Sequence, residues 1–345
     1  MRYAERHFHT AGRCNVSFSS PRRTDNHRLI SVHVISPLSQ FSASHKQSVH
    51  PRPPISLTST LPRNPVNRQQ KMSCPDCFRG SVHEGEPRGR VTHAYGLETY
   101  VVEPSDGQPP KGIVVVIPDA FGWAFVNVRL LADKYADLGG FKVYAPDFMN
   151  GRAAPLYMLE SMKIVTSSGG ILSKIYHSFR VLCAMLPFIT YNWPTRAWPR
   201  VKGFFEQLRK EEGSALPVGA AGFCWGGKQV MLLAHGDTID GRPLIDAGFT
   251  GHPSLLSLPG DIEKLKRPVS FAMGEHDAYL SAEQAETIRK IVEAKEEAAR
   301  GEVTVYPQAG HGFCVRADQK FESTKQADEA AEQCVKWFTA HFGSA

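Results

Sequence analysis

Residues 220–227 read Ala-Ala-Gly-Phe-Cys-Trp-Gly-Gly, and the spacing Gly222-x-Cys224-x-Gly226 constrains the fold more than any other stretch. Small residues running into this pattern predict a strand that turns sharply into a helix, with Cys224 at the apex in a strained backbone conformation. Glycine is needed two residues to either side because a Cβ there would strike the turn or a neighbouring strand. The turn is expected to lift the sulfur, exposed, to the mouth of a sheet. There the start of the following helix favours thiolate over thiol. A Gly-rich turn can equally hold a buried structural cysteine, so the pattern takes its meaning from what lies downstream.

Two further strand ends lie downstream. Pro268–Gly274 reads as a buried strand followed by Glu275-His276-Asp277, and Glu302–Tyr306 as another followed by Ala309-Gly310-His311-Gly312-Phe313. Asp277 and His311 therefore follow Cys224 in the order nucleophile, acid, histidine, each just past a strand on the carboxyl edge of the sheet. The residue after Gly274 is too close to its strand to swing toward Cys224, so Asp277 is preferred to Glu275. His276 reads as a polar surface residue rather than a rival to His311.

From about residue 90 onward, apolar runs alternate with helical spacing. Leu97–Val102, Lys111–Ile117, Lys142–Ala145 and Ile245–Thr250 read as strands. Asn127–Leu138, Ala282–Ala298 and Lys325–His341 read as helices. This alternation predicts an α/β fold with a mostly parallel central sheet and helices on both faces. A helical insertion over 150–212 precedes the nucleophile strand, with helices at Leu156–Val165, Ile171–Leu186 and Arg196–Arg209. Its aromatics (Tyr176, Phe179, Phe188, Tyr191, Trp193 and Trp198) fit either a cap that shapes an apolar pocket or a helix pair packed onto the sheet.

The net charge of +6 is unevenly placed. Residues 1–71 hold eleven Lys and Arg against Glu5 and Asp25, which leaves residues 72–345 at −3. The mildly acidic remainder gives no electrostatic support for nucleic-acid binding. Residues 1–71, rich in Ser, Arg, His and Pro without periodicity, are expected to be disordered. They read as a mitochondrial transit segment or as an artefact of gene modelling with Met72 the true start. Residues 72–345 read as a single domain. Seven cysteines without a disulfide-like framework fit a reducing, cytoplasmic setting, or a mitochondrial one if the transit segment is genuine. Cys74-x-x-Cys77, even with His83 as a third ligand, lacks the fourth ligand of a zinc site and the preceding strand of a redox motif. No apolar run is long enough to span a membrane. No phosphate loop, metal cluster or dinucleotide fingerprint is present, so no cofactor is expected.

With these positions placed, the chain resembles the dienelactone hydrolase family of the α/β-hydrolase fold over roughly residues 90–343. The resemblance rests on Gly222-Phe-Cys-Trp-Gly226, Gly274-x-x-Asp277, His311-Gly-Phe313 and Pro118-Asp-Ala-Phe-Gly122. It implies hydrolysis of activated esters or enol-lactones by Cys224, His311 and Asp277. It also places Asp119 where family members carry a glutamate near the thiol, one methylene longer. Arg316 becomes the candidate for a substrate carboxylate, with Phe121 and His252 lining the pocket, although His252 fits a structural hydrogen-bonding role equally well. The loop after the first apolar strand and the elbow supply backbone N–H groups of Ala120 and Trp225 as an oxyanion hole. A thioesterase or general carboxylesterase with the same triad stays open, as does a non-catalytic member that binds a ligand or partner.

Overall fold

The structure, a computed structural model, describes residues 80–167, 170–318 and 323–343. Residues 1–71 and the Cys74-x-x-Cys77 pair lie outside these ranges. The chain enters through a hairpin of β1 (Arg90–Ala94) and β2 (Leu97–Val102), then β3 (Ile113–Ile117), α1 (Val126–Gly139) and β4 (Lys142–Pro146). Three helices follow: α2 (Tyr157–Thr166), α3 (Ile171–Asn192) and α4 (Pro194–Lys210). Next come β5 (Val218–Phe223), α5 (Trp225–Ala234), a two-residue pairing of β6 (Thr238–Ile239) with β7 (Arg242–Pro243), and β8 (Ala247–Gly251). The chain closes with α6 (Gly260–Glu263), β9 (Val269–His276), α7 (Ala282–Glu293), β10 (Glu302–Gly310), α8 (Phe313–Arg316) and α9 (Ser323–Phe342).

Eight strands form one sheet in the order β1-β2-β4-β3-β5-β8-β9-β10. From β4 to β10 every neighbouring pair is parallel, and at one edge β2 pairs antiparallel with both β4 and β1, so β2 alone runs against the rest. Every residue of β3 and β5 is buried, as continuous apolar runs in a covered parallel sheet must be. The two faces of β5 show which helices cover them. A Cβ on Gly219 would meet Phe338 of α9, whereas one on Gly222, three residues along and so on the opposite face, would meet Val230 of α5. Helices cover both sides of the sheet, as expected.

Several boundaries differ from the sequence expectation: α7 ends at Glu293 rather than Ala298, β10 runs on to Gly310 rather than Tyr306, and two helices of the insertion shift. The helix expected to stop at Leu186 continues through Pro187 to Asn192, and the next begins at Pro194 with Pro199 inside it. Proline removes one helical hydrogen bond. At Pro187 the affected turn carries the exposed residues Cys183, Leu186 and Pro187, so the carbonyl that loses its donor lies on a side open to solvent. The aromatics of this insertion divide as neither reading foresaw. Phe188 is buried and Trp198 half-buried, but Tyr176, Phe179, Tyr191 and Trp193 are exposed. Among the described residues no helix is long and apolar enough to cross a membrane.

Candidate active site

Cys224 sits between β5 and α5 with φ 51° and ψ −110°, a left-handed conformation that a non-glycine residue adopts only when its surroundings enforce it. The enforcement is steric. A Cβ on Gly222 would strike the Gly226 carbonyl, and one on Gly226 would strike the Ile117 carbonyl of β3. The elbow thus packs backbone against backbone at both glycines, and the helix that starts at Trp225 points its N-terminus at the sulfur.

The sulfur is not exposed, contrary to the expectation from the elbow alone: Cys224 is 3% accessible. The segment after β8 lies against it. Ser254 donates its backbone N–H to the Cys224 carbonyl at 3.0 Å and brings its hydroxyl to 3.6 Å from the sulfur. Ser254 lies two residues after His252, but nothing in the sequence around it shows that this segment returns to the elbow.

Asp277 and His311 come together as the chain order suggests. Both carboxylate oxygens of Asp277 lie 3.0 Å from His311 Nδ1, and both side chains are buried. Asp277 also accepts the Tyr279 N–H at 2.8 Å, and the Tyr279 ring stands 4.7 Å from the imidazole. Tyr279 thereby helps orient acid and base together. Its sequence signal, an Asp two residues before it that closes an Asx-turn, is too common to single out. β9 runs on through Glu275 and His276, so both are strand residues. Glu275 accepts the Gln308 N–H at 2.8 Å and is exposed.

His252 does not take the structural hydrogen-bonding role open to it in the sequence. It is fully buried with φ 40°, and among the described residues both ring nitrogens lack a hydrogen-bond partner. Its ring instead packs edge-on against His311, 5.0 Å between centroids, and against Phe223 and Phe313. Burial first, and then the neighbouring His311, push its pKa well below the ordinary histidine range, so it stays neutral.

Asp119 and Arg316 pair with each other. Arg316 Nη1 donates to Asp119 Oδ2, and both side chains are buried. Asp119 Oδ1 also accepts the Phe121 N–H at 3.0 Å, and the guanidinium lies 5.4 Å from the centre of the Phe121 ring. The arginine expected to meet a substrate carboxylate is thus committed to a carboxylate of its own chain.

The loops that carry Ala120 and Trp225 are tied to the helical insertion. The Ala120 carbonyl accepts the Ala154 N–H at 2.7 Å. The Trp225 indole donates to the Asn192 carbonyl at 2.7 Å, and Asn192 Nδ2 donates to the Arg152 carbonyl at 2.8 Å. Trp225 is the first residue of α5, so its own N–H has no helical acceptor.

A cavity of about 370 Å³ opens beside His311, lined among others by Gly80, His276, Phe313 and Arg316. His311 is among its lining residues and Cys224 is not. The Arg316 turn on its rim is braced from the N-terminal side: Ser81 N–H donates to the Arg316 carbonyl at 3.2 Å. Ser81 Oγ and His83 Nε2 each lie 2.8 Å from the Ala317 carbonyl. Asn127 Nδ2 reaches both the Ser81 and Val315 carbonyls. Among the described residues no cluster of His, Cys, Asp or Glu could hold a metal ion.

A parallel sheet with a strained strand–helix elbow and an Asp–His pair at neighbouring strand ends defines an α/β-hydrolase. The dienelactone hydrolase family model matches residues 97–342. The chain belongs to that family and is a carboxylic ester hydrolase. Its relatives include hydrolase tropI of Talaromyces stipitatus, 28% identical over 77% of this chain and 95% of that protein. Dienlactone hydrolase 1 of Gibberella moniliformis is 24% identical over 70% and 82%. The fold is also that of a crystal structure from Klebsiella pneumoniae, provisionally assigned as a dienelactone hydrolase. That chain has 21% identity and a TM-score of 0.50 over 74% of this chain and 98% of its own.

Proposed function

We propose that the chain hydrolyses activated esters or enol-lactones through a covalent thioester on Cys224. The observation that carries this reading is the buried Asp277–His311 pair, both oxygens 3.0 Å from Nδ1, and it is supported by the strained elbow that holds Cys224 at φ 51°. Because Nδ1 serves Asp277, Nε2 is the nitrogen left for proton transfer. His311 takes the Cys224 proton as the thiolate attacks the carbonyl carbon, and the amides of Ala120 and Trp225 bind the oxyanion. Collapse of the tetrahedral intermediate expels the alcohol or enol, which receives the proton from His311. Water activated by the same imidazole then cleaves the thioester and releases the acid. Asp277 holds the tautomer and stabilises the imidazolium.

The choice of leaving group follows from the nucleophile. A thiolate leaves more readily than an alkoxide, so attack on an ordinary alkyl ester tends to reverse. An enol or other stabilised leaving group lets the acyl-enzyme accumulate. The pairing of Arg316 with Asp119 supports acyl groups that do not depend on a carboxylate clamp at that position.

Intact-protein mass spectrometry during turnover of p-nitrophenyl acetate tests the mechanism. The expected result is an acetyl adduct that maps to Cys224 and is absent from Cys224→Ala, with turnover lost. A Cys224→Ala chain that retains the wild-type rate removes the thiol from the chemistry. A panel of dienelactones, p-nitrophenyl esters and acyl-CoA thioesters then ranks substrate classes, and wild-type inactivity on every member favours the non-catalytic reading.

A further inference from the structure

The outer face of α3 carries large apolar side chains with nothing over them among the described residues. Leu172, Ile175, Phe179, Leu182 and Leu186 are all more than half exposed, Leu172 at 80% and Phe179 at 64%. They recur at intervals of three, four, three and four residues, which is the a/d spacing of a helix that packs against another helix. The opposite side of α3 faces its own protein, but its only buried residues are Met185, Phe188 and Asn192. The first half of the helix thus contributes no buried side chain, although helices depend mainly on tertiary packing for their stability.

We propose that this seam is a self-association surface, on which α3 of a second copy of the chain docks by two-fold symmetry. Charge favours a like partner. In a two-fold interface the seam meets a second copy of itself, so a seam carrying charge of one sign would repel its partner. The only Lys or Arg residues of α3 are Lys174 and Arg180, the helix has no acid, and both cations are half-buried, away from the seam. The Arg180 guanidinium lies 4.4 Å from the centre of the Tyr157 ring on α2. The residues that flank the seam, Tyr176, Ser178 and Cys183, are uncharged.

The same placement argues against a lipid surface, which interfacial helices meet with a broad apolar face rimmed by outward-pointing cations. Area is adequate. Seven large side chains at 53–80% exposure, Ile171 and Tyr176 included, form the apolar centre of a surface that a standard interface of roughly 800 Å² per partner would complete.

Sedimentation velocity of the full chain tests the proposal. The expected species in the low micromolar range has twice the 38.2 kDa of the chain. Phe179→Glu with Leu182→Glu is expected to raise the dissociation constant at least about a hundredfold, since two central anchors are lost. The melting midpoint at low concentration should stay unchanged, because both side chains are exposed. Should that variant fail to fold, Leu172→Gln with Ile175→Gln at the most exposed end of the seam reads the same loss. A wild-type chain that stays monomeric, or a dimer that survives either variant, overturns the proposal. So does a monomer that binds phosphatidylserine vesicles through this seam, with binding lost in the variant, which would assign the face to lipid.

Discussion

Asp119 and Arg316, 197 residues apart in sequence, meet as a buried ion pair that joins the loop after β3 to the turn beyond His311. The pair links the loop carrying Ala120 with the segment carrying His311, so its loss is expected to disturb both. Removing one partner of such a pair leaves an uncompensated charge and costs about 3–5 kcal/mol, whereas replacing both with apolar groups often costs far less. Asp119→Leu and Arg316→Met are each expected to lower stability by an amount in that range. Asp119→Leu combined with Arg316→Met should cost less than either alone. Urea denaturation of the four chains measures the cycle, and simple additivity would mean that the two residues are not coupled.

Asp277→Asn should keep the fold and lose the chemistry. The amide presents a donor to Nδ1 and stabilises the wrong imidazole tautomer, a change that costs about 10⁴-fold in kcat in enzymes with this arrangement. Steady-state hydrolysis of p-nitrophenyl acetate measures it, and KM should change little.

His252 makes stability depend on acidity. Its folded-state pKa lies well below the ordinary value because the ring is fully buried. Above about pH 6.5 both folded and unfolded forms are neutral there. Below that the unfolded chain takes up a proton that the folded one refuses, so stability falls with decreasing pH by up to about 1.4 kcal/mol per unit. His252→Phe removes this contribution. Relative to wild type, the variant should gain stability steadily as the pH falls from about 6.5 to about 5. Half-buried His235, shifted in the same direction, keeps a residual slope in both chains. Urea melts at the two pH values decide it; a constant difference between the chains would exclude His252 as its source.

Gly226→Ala tests the elbow itself. The added methyl meets the backbone carbonyl of Ile117 in the adjacent strand, which cannot move without disturbing the sheet. We expect poor folding or a stability loss above about 3 kcal/mol, toward the severe end for single substitutions. Trp225→Phe provides the milder comparison. It leaves the buried Asn192 carbonyl without its indole donor, at about 1–3 kcal/mol.

The parts of the molecule legible in the sequence are those set by short-range geometry. Gly222 and Gly226 flank a turn that tolerates nothing else, and Asp277 and His311 announce themselves by following apolar runs. Leu97–Val102 is a strand with the expected bounds. The rest depends on contacts between distant segments. The burial of Cys224 comes from the return of Ser254, and the commitment of Arg316 to Asp119 spans most of the sheet. Continuation of α3 through Pro187 depends on which side of the helix faces water, and β1 exists only because β2 offers it an edge. Its residues are mostly exposed and carry no apolar alternation that would mark a strand.

The clamp formed by Ser81 and His83 on the Arg316–Ala317 turn has a practical consequence. The family match begins at residue 97, beyond this clamp, so a recombinant chain trimmed to that boundary would lose every one of those hydrogen bonds. Such a truncate could retain all its strands from β2 onward and still misplace the turn next to its histidine. Weak turnover from a shortened preparation would then report a missing brace rather than a feeble enzyme.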